Sequence, residues 1–222
     1  VSKNASGMGG SQILLDTGEV QTYAQLLKSV IAGSANDSAV ALAECLYGSE
    51  ELFVDQMNRR AGELGMKNTK FLNCTGLPAQ GQYTTARDVA LLSCQMCTHP
   101  EYFTYGAVWM DTLTHPSGRV TDLTNTNRLI RFYNGATGLK TGSTDSALYC
   151  MSATAERDGM ELIAVVMKSP TSADRFEDAK ALLDYGFASY TLVSVYPDSP
   201  LAPIPVLLGE QGQVQPQLAR EC

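Results

Sequence analysis

Two short groupings in this sequence carry side chains able to bind a peptide. Lys140-Thr141-Gly142 offers a cation, a hydroxyl and a position without a side chain. On an edge strand such a triplet lets a substrate backbone approach closely while the ammonium attracts a carboxylate, so it suits a peptide carboxylate. Ser34-Ala35-Asn36 places a hydroxyl and an amide in a short break between two helical patterns, where both can point into a cleft. Neither grouping is distinctive alone. Ser and Asn are also what a helix N-cap wants, and Ser-x-Asn recurs at Ser2-Lys3-Asn4. A lysine beside a glycine turn is equally ordinary.

The elements that must hold these residues can be read from periodicity and punctuation. Asn4 to Ser11 is Gly-, Ser- and Asn-rich, and Gln12 to Leu15 reads as a short strand before the Asp16-Thr17-Gly18-Glu19 turn. From Thr22, the residues Leu26, Leu27, Val30 and Ile31 fall at helical spacing, with Gly33 placed to stop the helix. A second helix begins near Asn36 or Asp37, apolar nearly all round from Ala39 to Leu46 and therefore expected to be buried. Ser49-Glu50-Glu51 caps a third, with Phe53, Met57, Ala61 and Leu64 on one face and Gly65 as its stop. After a loop from Asn73 to Thr84, Thr85-x-x-Asp88 reads as a capping box for a helix to about Thr98.

Strands then take over. Ala107 to Leu113 and Arg119 to Thr124 flank a His115-Pro116-Ser117-Gly118 turn, and Leu148 to Ala155 and Met160 to Lys168 flank Asp158-Gly159, the strongest hairpin signal in the chain. Leu162 to Met167 is apolar on both faces, which predicts a central strand. Thr171-x-x-Asp174 opens a closing amphipathic helix carrying Phe176, Leu182, Leu183 and Phe187. Helices, antiparallel hairpins and a last helix together predict an antiparallel sheet with helices packed on it. After Tyr190 the prolines Pro197, Pro200, Pro203 and Pro205 mark a linker or the first strands of another domain. The expected division is 1–192 and 193–222.

Composition narrows the function classes. The 222 residues are 44% apolar and 18% charged, and no apolar run approaches the ~18 residues of a membrane span, so the chain reads as soluble and globular. A net charge of −7 argues against a partner built on phosphate backbones, so no nucleic acid is expected. No dinucleotide fingerprint or P-loop occurs.

Ser34-Ala35-Asn36 and Lys140-Thr141-Gly142, taken together, resemble the second and third signatures of the penicillin-binding and serine β-lactamase superfamily. The likeness extends through Gly7-Met8-Gly9-Gly10-Ser11, Leu64-Gly65-Met66-Lys67-Asn68-Thr69, Asn73-Cys74-Thr75-Gly76-Leu77, Tyr83-Thr84-Thr85-Ala86-Arg87-Asp88 and Asn125-Thr126-Asn127-Arg128-Leu129. In this order, from near residue 4 to about residue 190, the chain resembles the serine D-alanyl-D-alanine carboxypeptidases, the low-molecular-mass penicillin-binding proteins that trim peptidoglycan stem peptides. The resemblance implies an α/β penicillin-binding fold and acyl-enzyme chemistry with no metal or cofactor. It implies that Ser34 helps protonate the leaving D-alanine and that Asn36 donates its amide to the acyl-side carbonyl. Lys140 would attract the terminal carboxylate and Thr141 would add a hydroxyl contact. Gly142 would leave room for the substrate backbone, and the Ser143 N–H would form half of an oxyanion hole. β-Lactams would acylate the same nucleophile. The implied setting is the outer face of the bacterial cytoplasmic membrane, with membrane association only through a segment not in this chain.

The family's nucleophile lies in a Ser-x-x-Lys signature, and here none of Lys28, Lys67, Lys70, Lys140, Lys168 or Lys180 has a serine three positions before it. The expectation is that this signature lies upstream of Val1. The alternatives are a non-catalytic cell-wall peptide-binding pseudoenzyme and a class A β-lactamase. The second is disfavoured because Ser34-Ala35-Asn36 lacks the aspartate of Ser-Asp-Asn and no Glu-x-x-x-Asn lies between Ala61 and Pro100.

Other features carry less. Cys94-x-x-Cys97 with His99 lacks the four ligands of a zinc site, and its thiols are expected to be half-buried packing residues. His115 is expected to be solvated. Tyr102, Phe103 and Tyr105 are expected to pack in a core or loop, with a wall of the cleft as the alternative. Arg128 and Arg131 fit structural salt bridges as well as a site.

Overall fold

The computed structural model describes residues 1–193 and 201–217. The chain divides into two compact units, Val1–Ser189 and Tyr190–Cys222. The first begins with helices α1 (Lys3–Ser6), α2 (Tyr23–Ile31), α3 (Asn36–Tyr47), α4 (Glu50–Glu63), α5 (Ala86–Cys97) and α6 (Pro100–Gly106). The hairpin β1 (Met110–Thr114) and β2 (Val120–Thr124) follows, then α7 (Leu129–Phe132). Strands β3 (Ala136–Thr144), β4 (Leu148–Arg157) and β5 (Met160–Ser169) form an antiparallel sheet, and α8 (Ser172–Ser189) closes the unit. In the second unit β6 (Ile204–Pro205) pairs antiparallel with β7 (Gln213–Val214). Pro197 and Pro200, on which the linker reading partly rests, lie outside the described residues.

Local signals start and stop these helices. Thr22 and Gln25 form a reciprocal capping box on α2, Ser49 Oγ accepts the Leu52 N–H at α4, and Gly65 leaves α4 at φ +75°. At α5 the box is only half made. Thr85 Oγ1 accepts the Asp88 N–H, but the buried Asp88 carboxylate turns away to accept the Asn68 N–H at 2.7 Å and the Thr69 hydroxyl at 2.8 Å. Tying down the 66–70 segment takes precedence over the cap.

Four expectations are corrected. Gln12–Leu15 is irregular rather than a strand, because the N–H groups of Ile13 and Leu15 go to the fully buried Asp37 carboxylate at the start of α3. Strand β1 begins at Met110 rather than Ala107, since the N–H groups of Ala107 and Val108 still turn back to the Phe103 and Tyr105 carbonyls of α6. The central strand is β4, and β5 lies at an edge of the three-stranded sheet formed by the described residues. Helices explain the two-faced apolarity of β5. Leu162, Ala164 and Val166 pack with Phe176, Ala179 and Leu183 of α8, while α5 packs against the same strand with its Cys97 thiol at the Glu161 carboxylate. Finally, His115 is buried instead of solvated, held between Glu19 Oε1 at 2.7 Å and Thr121 Oγ1 at 2.9 Å. Burial alone would raise the Glu19 pKa, but hydrogen bonds from the Asp16 N–H, Gln21 and His115 outweigh it and hold the carboxyl below its usual range.

Other side chains fall into place around this frame. Cys94 is exposed and Cys97 half-buried. Arg131 forms no salt bridge among the described residues, and its guanidinium lies over the rings of Trp109 and Phe132, 5.7 and 5.3 Å from their centroids. Two apolar clusters result. One gathers Ile13, Leu15, Leu26, Val40, Leu113 and Leu123, and the other Leu129, Met151, Ala153, Ala164, Phe176 and Leu183. The first anchors the break between α2 and α3, and the second backs the sheet that carries β3.

Candidate active site

The break between α2 and α3 turns sharply. Ala32 caps α2, and at Gly33 an added Cβ would meet the Ser29 carbonyl oxygen at 3.0 Å and Leu123 at 3.1 Å. Ser34 follows at φ +58°, a left-handed conformation that costs a non-glycine residue ~1 kcal/mol or more and is held by the surrounding structure. The N-cap of α3 is Ala35, which has no capping side chain. Neither Ser34 nor Asn36 is therefore used as the cap that its residue type would suit. The Ser34 side chain instead meets a residue 106 positions later, accepting a hydrogen bond from Lys140 Nζ at 2.8 Å.

Asn36 is buried at the first position of α3 and is held from the glycine-rich segment. Its backbone N–H donates to the Ser11 carbonyl and its Nδ2 to the Gly9 carbonyl, each at 2.8 Å. The approach is so close that a Cβ on Gly10, which sits at φ +77°, would stand 2.7 Å from Asn36 Nδ2. Only glycine satisfies both demands at that position.

Strand β3 supplies the opposite wall. Lys140 pairs across to Ser152 and Thr141 to Met151, leaving β3 at an edge of the sheet. Behind it, the Tyr102 hydroxyl donates to the Leu139 carbonyl at 2.7 Å, and Asn127 Nδ2 donates to the Gly138 carbonyl at 2.7 Å. Tyr102 thus supports the strand from α6. Burial pushes its phenol pKa upward, so it remains a neutral donor. Around the site of a Cβ on Gly142 nothing of the protein lies within 4 Å.

All six residues singled out in the sequence, Ser34, Asn36, Lys140, Thr141, Gly142 and Ser143, line one cleft of about 520 Å³. Its electrostatics are unusual for a surface groove. Lys140 Nζ donates to Ser34 Oγ and to the Thr141 carbonyl at 3.0 Å and has no carboxylate partner among the described residues. Burial, with the neighbouring Arg175 charge as a smaller cause, pulls its pKa down to about 8.

Arg175, which the sequence reading missed, is the second cation in this cleft. It is buried in the first turns of α8 and donates to the carbonyls of Gly142 and Cys150, both at 3.3 Å, and to Ser172 Oγ at 3.2 Å. Its Nε is buried without a partner, and burial lowers its pKa. One signal was available. A basic residue just behind the Thr171-x-x-Asp174 cap opposes the helix dipole and so has a reason to be elsewhere. Two cations held by neutral groups, beside a hydroxyl that accepts from one of them, form a site prepared for an anion.

A second, apolar cavity of about 420 Å³ adjoins Ser34 and Lys140, with Val30, Leu92, Met96 and Tyr102 among its walls. Tyr102 is thus placed both to support β3 and to wall the space behind the cleft.

Comparison with known proteins identifies the family and the fold. The family described as Peptidase S11, D-alanyl-D-alanine carboxypeptidase, matches residues 1–171. The chain is 40% identical over 211 residues to D-alanyl-D-alanine carboxypeptidase DacF of Bacillus subtilis, covering 95% of this chain and 54% of that protein. It is 36% identical over 213 residues to DacC of Escherichia coli, covering 95% and 52% respectively. Among solved structures, the D-alanyl-D-alanine carboxypeptidase DacD from Francisella tularensis superposes with a TM-score of 0.81 at 30% identity, over 92% of this chain and 61% of that one. The Streptomyces K15 DD-transpeptidase gives 0.75 at 31% identity, over 81% and 72%. The chain spans about half the length of the curated relatives it matches. In fold it is a penicillin-binding, DD-transpeptidase-like protein with an antiparallel sheet flanked by helices, and it belongs to the peptidase S11 family of D-alanyl-D-alanine carboxypeptidases.

Proposed function

We propose that this chain carries the substrate-binding and proton-transfer half of a serine-type D-alanyl-D-alanine carboxypeptidase, completed by a Ser-x-x-Lys nucleophile outside residues 1–222. The observation that carries the reading is the Lys140–Ser34 pair at 2.8 Å in a cleft with two cations and no carboxylate partner for Lys140 among the described residues. Lys140 and Arg175 bias the cleft toward the terminal carboxylate of the peptide. Because Lys140 Nζ donates to Ser34 Oγ, the Ser34 proton is free to point forward into the cleft. There it can be given to the amine of the departing D-alanine, and the Lys140 ammonium can restore it. Asn36, fixed by Gly9 and Ser11, retains a second amide hydrogen for the acyl-side carbonyl. The Ser143 N–H would supply part of an oxyanion hole. In the balanced reaction the serine oxygen bonds to the carbonyl carbon, the peptide C–N bond breaks, D-alanine leaves with the proton, and water hydrolyses the acyl-enzyme.

The apolar cavity behind Ser34 and Lys140 supports this reading, since it offers a place for the segment that bears the nucleophile to pack. A substrate in peptidoglycan places the enzyme outside the cytoplasm, and β-lactams would act as acylating mimics of the dipeptide. The test is intact mass after incubation with benzylpenicillin, on residues 1–222 and on the protein extended upstream to include Ser-x-x-Lys. An adduct on the extended protein alone is expected. No adduct on either would overturn acyl-enzyme chemistry and favour a peptide-binding pseudoenzyme.

A further inference from the structure

Cys94 and Cys97 stand three positions apart in the last turn of α5. Side chains so spaced share a helix face with their Cβ atoms about 5–6 Å apart, whereas a disulfide needs about 3.5–4.5 Å. The chain is already tightening at this point. The Thr98 N–H donates to the Gln95 carbonyl at 3.2 Å, and the His99 N–H to the Met96 carbonyl at 3.0 Å. These bonds, reaching back three residues, are those of a 3₁₀ turn, in which side chains three apart eclipse and draw together.

The two thiols have unequal surroundings. Cys94 is exposed, while Cys97 is half-buried and donates to the Glu161 carboxylate on β5. Burial, and then the Glu161 charge, push the Cys97 pKa up to about 12, so it rests as a neutral thiol. An oxidant arriving from solvent therefore meets Cys94 first. Glu161 is placed to take the Cys97 proton when that sulfur attacks. From Cys97 the chain passes directly to α6, where the Tyr102 N–H donates to the His99 carbonyl at 3.0 Å. Cys97 is also near enough for its charge to reach the Tyr102 phenol, which holds the Leu139 carbonyl beside Lys140.

We propose that Cys94 and Cys97 are a thiol-oxidation site that closes to an intrahelical disulfide and ties down the turn leading from α5 into α6. The oxidant is a small-molecule disulfide of the glutathione disulfide class. The Cys94 thiolate attacks one of its sulfurs and expels the first thiolate. Cys97 then attacks the Cys94 sulfur, gives its proton to Glu161 and expels the second thiolate. The protein loses two hydrogens and the oxidant becomes two thiols. This chemistry belongs to the thiols alone and stands apart from the carboxypeptidase reading. Trypsin frees residues 88–119, between Arg87 and Arg119, as one peptide that holds both thiols and no other cysteine. The protein extended upstream to include Ser-x-x-Lys is equilibrated, folded, with rising ratios of oxidised to reduced glutathione, then alkylated, digested and weighed. The peptide should turn from doubly alkylated to an unalkylated form two hydrogens lighter than the dithiol, and dithiothreitol should reverse the change. Cys97→Ser should instead retain glutathione on Cys94, and Cys94→Ser should take up glutathione about tenfold more slowly. In the closed form the Thr98 and His99 amides should exchange about tenfold more slowly than in the open form. A peptide that stays alkylated at both thiols, or that carries glutathione without an internal disulfide, overturns the site. Equal uptake by the two single variants overturns the order of attack, and unchanged exchange at both amides overturns the tie to the turn.

Discussion

Lys140 should weaken the fold at neutral pH, and the deficit should disappear in alkali. Its ammonium is buried beside Arg175, and its pKa falls from the usual 10.5 to about 8. At about 1.4 kcal/mol per unit this corresponds to about 3 kcal/mol. The folded pKa is lower than the unfolded one, so between about 8 and 10.5 the unfolded chain holds a proton that the folded chain has released. Stability therefore rises with pH across that window. Below about 8 both states are protonated and the whole cost remains. Lys140→Met keeps the length of the side chain and removes the charge. It also loses the contacts to Ser34 and the Thr141 carbonyl, which shifts its stability without giving it this pH dependence. The stability of the variant relative to the parent should thus fall by about 3 kcal/mol between pH 7 and pH 10.5. For a domain of this size, about 2–4 °C per kcal/mol turns this into a change of roughly 6–12 °C in the difference of melting temperatures. Thermal unfolding followed by circular dichroism, at half-unit pH steps on both proteins, measures it directly. Tyrosines and cysteines that titrate in the same range are common to both proteins and cancel in the difference. A difference that stays flat within about 1 kcal/mol would refute the claim that burial depresses Lys140.

Two further outcomes concern the frame around the cleft. In Asp37→Asn one of the three N–H groups now accepted by the carboxylate, those of Ile13, Leu15 and Ser38, must lose its partner, at a cost of about 2 kcal/mol. Hydrogen exchange should show protection lost among the amides of Ile13, Leu15 and Ser38 while β4 keeps its own, and unchanged protection at all three would contradict the anchoring role. Gly135→Ala should cost about 3 kcal/mol or more in urea unfolding, because Gly135 sits at φ +82° and a Cβ there would collide with the Glu156 carbonyl of β4. A loss below about 1 kcal/mol would show that the entry to β3 can relax.

Much of this architecture is written in short-range signals. Caps at Thr22, Ser49 and Thr171, the stop at Gly65 and the Asp158-Gly159 turn act over three or four residues, so they are legible in order along the chain. The same holds for Lys140-Thr141-Gly142 and Ser34-Ala35-Asn36, whose residue types suffice to suggest a peptide site. What they touch is a different matter. That Lys140 meets Ser34 rather than solvent depends on packing β3 against the α2–α3 break, and that Thr141 gives its proton to Thr126 depends on packing β3 against the segment between β2 and α7. Those partners are separated by 106 and 15 positions, beyond any local pattern. Periodicity shows that both faces of Leu162 to Met167 are covered, but helices cover a strand as well as neighbouring strands would, so it did not reveal that β5 lies at an edge. His115 looks like a loop histidine beside Pro116, and only the fold brings Glu19 to it across 96 positions. Arg175 is the clearest case. In the sequence it is one charge in an amphipathic helix. In the structure it is buried in the cleft beside Lys140 and lowers that lysine's affinity for a proton, because residue types determine which charges a chain carries and only the tertiary structure determines how much water is left around them.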